Sequence, residues 1–107
     1  MEKDWRDRID PNFLEFLPEF LENLASESAR LDSLLEAEDF QGLARIGHNF
    51  KGSAGYFGLT ELDILARALE IQSKALDKIA VGATIQSWNS LLPEIGIQDA
   101  DIPPNRP

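Results

Sequence analysis

His48 and Lys51, three residues apart, are the side chains in this sequence whose types and spacing best fit a chemical reaction. An imidazole changes charge near neutral pH, so one of its ring nitrogens is available to attack an electrophile such as phosphorus. A lysine one helical turn away can reach the oxygens of a phosphoryl group carried on that nitrogen. The pair therefore suits phosphoryl transfer, with Arg45 as a weaker candidate for the role of the lysine. The alternative is that His48 is an ordinary surface or core histidine with a lysine nearby, which is the commoner case for a single histidine in a helical protein.

An amphipathic helix is expected to hold this pair on its exposed side. An apolar stripe repeats every three or four residues, as in a helix with one buried face; it consists of Phe40, Leu43, Gly47, Phe50, Ala54 and Phe57. With that stripe turned inward, His48 should face water. The residues expected to share its face are Ala44, Arg45, Lys51, Gly52 and Gly55.

The glycines of this segment have more than one interpretation. A glycine inside a helix costs about 1 kcal/mol relative to alanine, so Gly52 and Gly55 would be expected there if a partner's backbone must approach the histidine closely. Alternatively, they mark a kink or a helix end near residue 52, followed by a loop over residues 53–59. Gly47 lies on the buried side and should permit close helix packing, and Gly58 suits a left-handed helix stop.

Apolar periodicity also predicts helices before this segment. A short helix is expected near residues 11–17, followed by a longer one near residues 18–37 with Pro18 in its first turn. Their apolar residues are Phe13, Leu17, Phe20, Leu21, Leu24, Leu31, Leu34 and Leu35.

Two further helices are expected after this segment. Thr60 can cap the first of them, with Asp63 in the capping-box position. Residues 77–82 are predicted to form a loose connection to the last helix, which Pro93 would shorten or bend. The apolar residues of these two helices are Leu62, Leu65, Ala66, Leu69 and Leu76, and then Val81, Ile85, Trp88, Leu92 and Ile95.

Together these patterns predict an all-α protein, an antiparallel up-down four-helix bundle with a short extra N-terminal helix. We expect an N-terminal extension over residues 1–10, the bundle over residues 11–97 and a flexible C-terminal tail over residues 98–107. No extra apolar face remains for self-association, which favours a monomer.

Composition excludes several classes of function. The chain has 107 residues, enough for one domain, and with no cysteine and one histidine it is not expected to bind a metal. A net charge of −9 repels nucleic acid and anionic membranes, which leaves proteins as partners, although the same charge also keeps a small domain soluble. The charged amino terminus, MEKDWRDRID, has no apolar secretory signal, so a cytoplasmic location is expected.

The histidine segment resembles a known family. His48, Lys51, Gly52 and Gly58 match the H-x-x-K-G-x-x-x-x-x-G pattern of histidine-containing phosphotransfer (Hpt) domains. The likeness extends over about residues 12–95 and includes the F-L-P-x-F-L sequence of residues 16–21; further matching residues are Ala44, Ser53, Ala54, Leu62, Ala66 and Leu69. Two departures are Gly47, where the family often has alanine, and Phe50, where leucine is commoner.

The resemblance implies that His48 is the phosphorylated residue, exposed midway along the second bundle helix. It also implies that Glu70, twenty-two residues later, accepts a hydrogen bond from Nδ1 of the ring and leaves Nε2 free. The residues alone offer another interpretation of Glu70, a surface ion pair with Lys74 or Arg67.

By the same resemblance the protein is a passive phosphoryl carrier without ATP-dependent kinase activity of its own. His48 would accept the group from a receiver-domain aspartate or a kinase and pass it to a response-regulator aspartate. The partners implied are receiver domains and a sensor histidine kinase; no cofactor is expected on this chain, and Mg²⁺ is expected on the receiver. Recognition would use a surface beside the histidine, formed by Ala44, Arg45, Gly52, Gly55 and Tyr56.

Two other functions are also compatible with the sequence. A helical adaptor could use the same face to bind partners without carrying phosphate. The phosphoacceptor domain of a chemotaxis-type histidine kinase would receive its phosphoryl group from an ATP-binding domain instead of a receiver. The sequence also leaves open whether the domain stands alone or belongs to a larger hybrid kinase.

Overall fold

The regular structure in the computed structural model is entirely helical over residues 5–104, the part of the chain that it describes apart from the side chain of Arg8. Three short 3₁₀ helices span Trp5–Arg8, Pro11–Phe16 and Asp99–Asp101. The α-helices are α1 (Leu17–Ser28), α2 (Leu31–Glu36), α3 (Phe40–Phe50), α4 (Ser53–Tyr56), α5 (Thr60–Lys74) and α6 (Lys78–Ile95). The predicted all-α class is confirmed.

These six α-helices form the four members of a bundle. The pair α1 and α2 makes the first member, α3 and α4 the second, and α5 and α6 the third and fourth. The links between members are three residues long, which is short enough to place consecutive members antiparallel. The central residues of the links are Glu38, Gly58 and Leu76, and all three have positive φ. This left-handed conformation ends each helix and turns the chain back.

Aromatic packing in the core anchors the helix that carries His48. Phe50, at the end of α3, lies edge-on to Trp88 of α6, with 5.9 Å between ring centroids, and edge-on to Phe20 of α1. Trp88 is fully buried, and its indole nitrogen donates to Ser28 Oγ at 2.9 Å, so the polar edge of the ring is satisfied. These contacts hold the inner face of α3 and thereby turn its outer face to solvent.

The first bundle member differs from the single helix predicted for residues 18–37. Pro18 does lie in the first turn, as expected, but α1 ends at Ser28 and α2 begins at Leu31. The buried apolar face nevertheless continues from α1 into α2, because Leu24 and Leu31 are both fully buried.

The start of α5 and the connection to α6 also differ from the predictions. Leu59, without a side-chain cap, precedes α5, so the capping role expected of Thr60 is wrong. Residues 78–82 are helical, because Asp77 caps α6 by accepting a hydrogen bond from the Ala80 amide. Leu76 is exposed in the turn and does not belong to the apolar face of α5.

The end of α6 tolerates Pro93 within its last turn, and the helix stops at Gly96, which has φ of 106°.

The segments that precede and follow the bundle pack against it. The Trp5 indole donates to the carbonyl of Ile95 at 3.1 Å, and Ile9 and Ile97 are buried. Residues 1–4 of the predicted extension and residues 105–107 of the predicted tail lie outside the described residues.

Candidate functional site

The helix carrying His48 begins at a strong cap and ends two residues after the histidine, at Phe50. Asp39 precedes α3 and accepts a hydrogen bond from the Gly42 amide at 2.9 Å. At the other end, Lys51 adopts an extended conformation and Gly52 has φ of 81° and ψ of −58°, which interrupts the helix before α4. Gly52 is therefore a conformational break, as the helix-end alternative proposed, and the expected loop over residues 53–59 is wrong because residues 53–56 are helical.

Asp63 of α5 stabilises this break. Its Oδ1 accepts from the Gly52 amide at 2.7 Å, and its Oδ2 accepts from Arg67 Nε at 3.2 Å. The Gly52 amide, assisted by Arg67, lowers the pKa of Asp63 despite the opposing effect of desolvation. The capping-box position predicted for Asp63 is therefore wrong, since the carboxylate reaches across to the end of the histidine helix.

Backbone contact between α3 and α5 brings the two sides of the site together. A Cβ added to Gly47 would lie 2.6 Å from the Ala66 carbonyl oxygen and 2.7 Å from the Glu70 amide nitrogen. No side chain fits in that space, so the close packing predicted for Gly47 is confirmed. It places the backbone of Glu70 directly behind the residue that precedes His48.

His48 projects from this junction into solvent. Its side chain is 63% exposed, and Nδ1 lies 3.0 Å from Oε2 of Glu70, whose own side chain is only 9% exposed. A carboxylate can only accept a hydrogen bond, so Nδ1 carries the proton and the lone pair of Nε2 points away from the carboxylate. The exposure predicted for His48 is confirmed.

Glu70 also binds two lysines. Lys51 Nζ lies 2.6 Å from Oε1, and Lys74 Nζ lies 3.2 Å from Oε2. Hydrogen bonds from Lys51 above all, and then from Lys74 and His48, lower the pKa of Glu70 to about 2, although desolvation opposes the shift. Glu70 is thus ionised at neutral pH and contacts both the imidazole and Lys74; Arg67 pairs with Asp63 instead.

The stability of the fold in acid should depend on Glu70. Because folding lowers its pKa from 4.5 to about 2, its contribution to stability is complete above pH 4.5 and disappears as the pH falls toward 2. Across that range the free energy of unfolding should therefore fall more steeply for the wild type than for Glu70→Gln. Urea denaturation followed by circular dichroism at a series of pH values measures both slopes, and equal slopes would contradict the charged cluster.

The exposed surface around His48 only partly matches the residues predicted to bind partners. Arg45, Gly55 and Tyr56 are exposed and Gly52 is half-buried, but Ala44 is buried against the bundle, which contradicts its expected place on the exposed face. Tyr56 also packs against Phe13, with ring centroids 5.5 Å apart.

Sequence reasoning missed two exposed apolar residues on α5, the helix that carries Glu70. Ile64 and Ile71 are 59% and 68% exposed. They lie seven residues apart, two turns along one side of the helix, with Arg67 between them. The available signal was their position outside the apolar stripe of α5, since isoleucines that cannot face the core must face solvent.

Comparison with protein families settles the class of protein. The family model described as the Hpt domain matches residues 13–95, which is most of the chain. The chain belongs to the Hpt domain family. No curated protein and no solved structure matches it significantly. The match includes all three residues of the ion-paired site, His48, Lys51 and Glu70.

Membership of the Hpt family defines the general role. This Hpt domain has a histidine phosphotransfer function in a phosphorelay, a pathway in which such domains interact with receiver domains and kinases. Over residues 5–104, we find no cluster of three or more histidine or acidic side chains arranged to hold a metal ion. None of the helices in that part of the chain is long and apolar enough to cross a membrane.

Proposed function

We propose that Nε2 of His48 accepts a phosphoryl group from the phosphorylated aspartate of one receiver domain and passes it to the aspartate of another. The observation that carries this proposal is the contact of Nδ1 with Glu70 Oε2 at 3.0 Å on a ring that is 63% exposed. That contact fixes the tautomer and orientation of the ring and leaves the second nitrogen accessible to a partner.

The transfer step follows from this geometry. The lone pair of Nε2 attacks phosphorus, the N–P bond forms, and the bond from phosphorus to the aspartate oxygen breaks to release a carboxylate. The ring becomes cationic as the bond forms, and the Glu70 carboxylate stabilises that charge through Nδ1–H. Lys51, paired with Glu70 in this structure, is one turn from His48 and offsets the phosphoryl charge.

We assign the remaining requirements of the reaction to the partner. The Mg²⁺ that neutralises charge at the aspartate belongs to the receiver domain, and this chain supplies no cofactor. The receiver would dock over Arg45, Gly52, Gly55 and Tyr56 and extend onto Ile64 and Ile71 of α5. An exposed apolar pair within a charged rim is typical of the centre of such an interface.

Transfer from a receiver labelled with radioactive phosphate tests this function. The wild-type chain should acquire label that is lost in acid and retained in alkali, as expected for a phosphorus–nitrogen bond, and nuclear magnetic resonance of the imidazole should place it on Nε2. A second receiver, added after the first is removed, should take the label away. Label on Nδ1, or none from any receiver supplied, would contradict the proposal.

A parallel reaction distinguishes the kinase-domain alternative. An ATP-binding histidine kinase domain with ATP replaces the phosphorylated receiver, under otherwise identical conditions. Efficient labelling by the receiver and slow labelling by the kinase domain supports the relay proposed here. The reverse pattern would favour the phosphoacceptor domain of a chemotaxis-type kinase.

A further inference from the structure

A second lysine contacts the same carboxylate oxygen as His48. Lys74 Nζ lies 3.2 Å from Glu70 Oε2, the atom that accepts from His48 Nδ1 at 3.0 Å. The ammonium and the imidazole are therefore neighbours across a single oxygen atom. Lys51, in contrast, contacts the other oxygen, at 2.6 Å.

The two lysines differ in their freedom to move. The side chain of Lys74 is 68% exposed, whereas that of Lys51 is 34% exposed. Lys74 also makes the longer contact, 3.2 Å against 2.6 Å, and lies one turn after Glu70 on α5. Because a lysine has a flexible four-carbon stem, the ammonium of Lys74 can turn to a new anion nearby without a change in the backbone.

Phosphorylation would create such an anion. A phosphoryl group carries roughly −1.5 to −2 charges at neutral pH, and on His48 it would stand beside the negative charge of Glu70. The single positive charge of Lys51 cannot neutralise both the phosphoryl group and the Glu70 carboxylate. The other acidic side chain nearby on α5, Asp63, is already bound to Arg67 and the Gly52 amide, so Arg67 is partly engaged.

We infer that Lys74 is a second phosphoryl-binding residue of the His48 site, an inference that rests on the proposed function. When His48 is phosphorylated, the Lys74 ammonium exchanges Glu70 Oε2 for a phosphoryl oxygen. That exchange leaves Oε2 to Nδ1–H alone, so the hydrogen bond that orients the ring loses a competitor while the phosphoryl charge gains a partner.

A purely structural role for Lys74 makes a different prediction. A glutamate followed four residues later by a lysine is a common stabilising pair on helix surfaces. If Lys74 did no more than this, its loss would slightly lower stability and would leave the phosphorylated histidine unaffected. Measurements made on the phosphorylated state therefore separate the two roles.

Chemical phosphorylation provides a test that does not depend on any receiver. Phosphoramidate serves as the donor for the wild type, Lys74→Gln, Lys74→Arg and Lys78→Gln. Lys78 is a suitable matched control, because it is an exposed lysine whose ammonium forms an ion pair with Glu38, at 3.1 Å, and not with Glu70. The ³¹P resonance of the phosphohistidine is then followed against pH, and its loss is followed with time.

Lys74→Gln should raise the pH at the midpoint of the phosphoryl titration, because a nearby cation favours the dianion, and should shorten the phosphohistidine lifetime about twofold to fivefold. Lys74→Arg should restore most of both values, and Lys78→Gln should match the wild type. Both effects should weaken in high salt.

Equal titration midpoints and lifetimes in the wild type and Lys74→Gln would overturn the inference. Failure of the proposed function is a separate result, in which phosphoramidate labels His48 but no receiver does. If phosphoramidate fails to label His48, the inference and the phosphoacceptor assignment are both wrong.

Discussion

Substituting His48 by glutamine should abolish phosphoryl transfer from a receiver and leave the fold intact. An amide nitrogen has its lone pair delocalised into the carbonyl group, so it cannot replace Nε2 as a nucleophile. The same amide can still donate a hydrogen bond to Glu70. Since the histidine side chain is 63% exposed and contributes nothing to the core, the thermal unfolding midpoint should stay close to that of the wild type.

The interpretation of this experiment is unusually direct because His48 is the only histidine in the sequence. Any phosphohistidine formed on the chain must be on this residue. Transfer is measured as label on the chain after incubation with a phosphorylated receiver, and circular dichroism reports the fold. If His48→Gln still acquires label that is lost in acid and retained in alkali, the nucleophile has been assigned wrongly.

Gly47→Ala should lower the free energy of unfolding by about 1–3 kcal/mol, the usual range for overpacking at a tightly packed site. Its added methyl group would lie 2.6 Å from the Ala66 oxygen and 2.7 Å from the Glu70 nitrogen. Both atoms belong to the backbone of α5, so relief requires movement of a whole helix. The general preference of helices for alanine over glycine, about 1 kcal/mol, offsets only part of this cost.

Gly82→Ala is the matched control for this prediction. Gly82 also lies inside a helix, but a Cβ there would meet only the Leu35 side chain, at an ordinary contact distance of 3.6 Å. This variant should therefore be more stable than the wild type, by up to about 1 kcal/mol. Urea denaturation measures whether each variant has a lower or a higher free energy of unfolding than the wild type. Stabilisation by Gly47→Ala would contradict the close contact of α3 with α5.

The Gly47 substitution should also affect the site. Movement of α5 away from α3 carries the Glu70 backbone with it, which lengthens the hydrogen bond to His48 Nδ1. We therefore expect slower transfer in Gly47→Ala and unchanged transfer in Gly82→Ala, assayed at a temperature where both variants are folded. Imidazole ¹⁵N chemical shifts report directly whether the tautomer is still held.

Much of the fold could be predicted from the helical spacing of apolar residues. The stripes that include Leu43, Phe50 and Trp88 identified the inward faces, because burial of apolar side chains every three or four residues requires little knowledge of the partner surface. The exposure of His48 followed from the same reasoning. The break at Gly52 could be framed only as one of two alternatives, since a glycine is compatible with both a continuous helix and a helix end.

The all-α bundle and the exposure of His48 on a helical face beside Lys51 could be inferred from the amino-acid pattern, and the family motif pointed to Glu70. The packed structure was needed to show which groups share the Glu70 carboxylate, that Asp63 binds the Gly52 amide, and that Ala44 is buried. These differ because apolar periodicity is a local property of the chain. Periodicity records which side of a helix faces apolar surroundings, whereas ion pairs between α3 and α5 depend on the spacing and rotation of two helices, which Gly47 and the core around Phe50 set together.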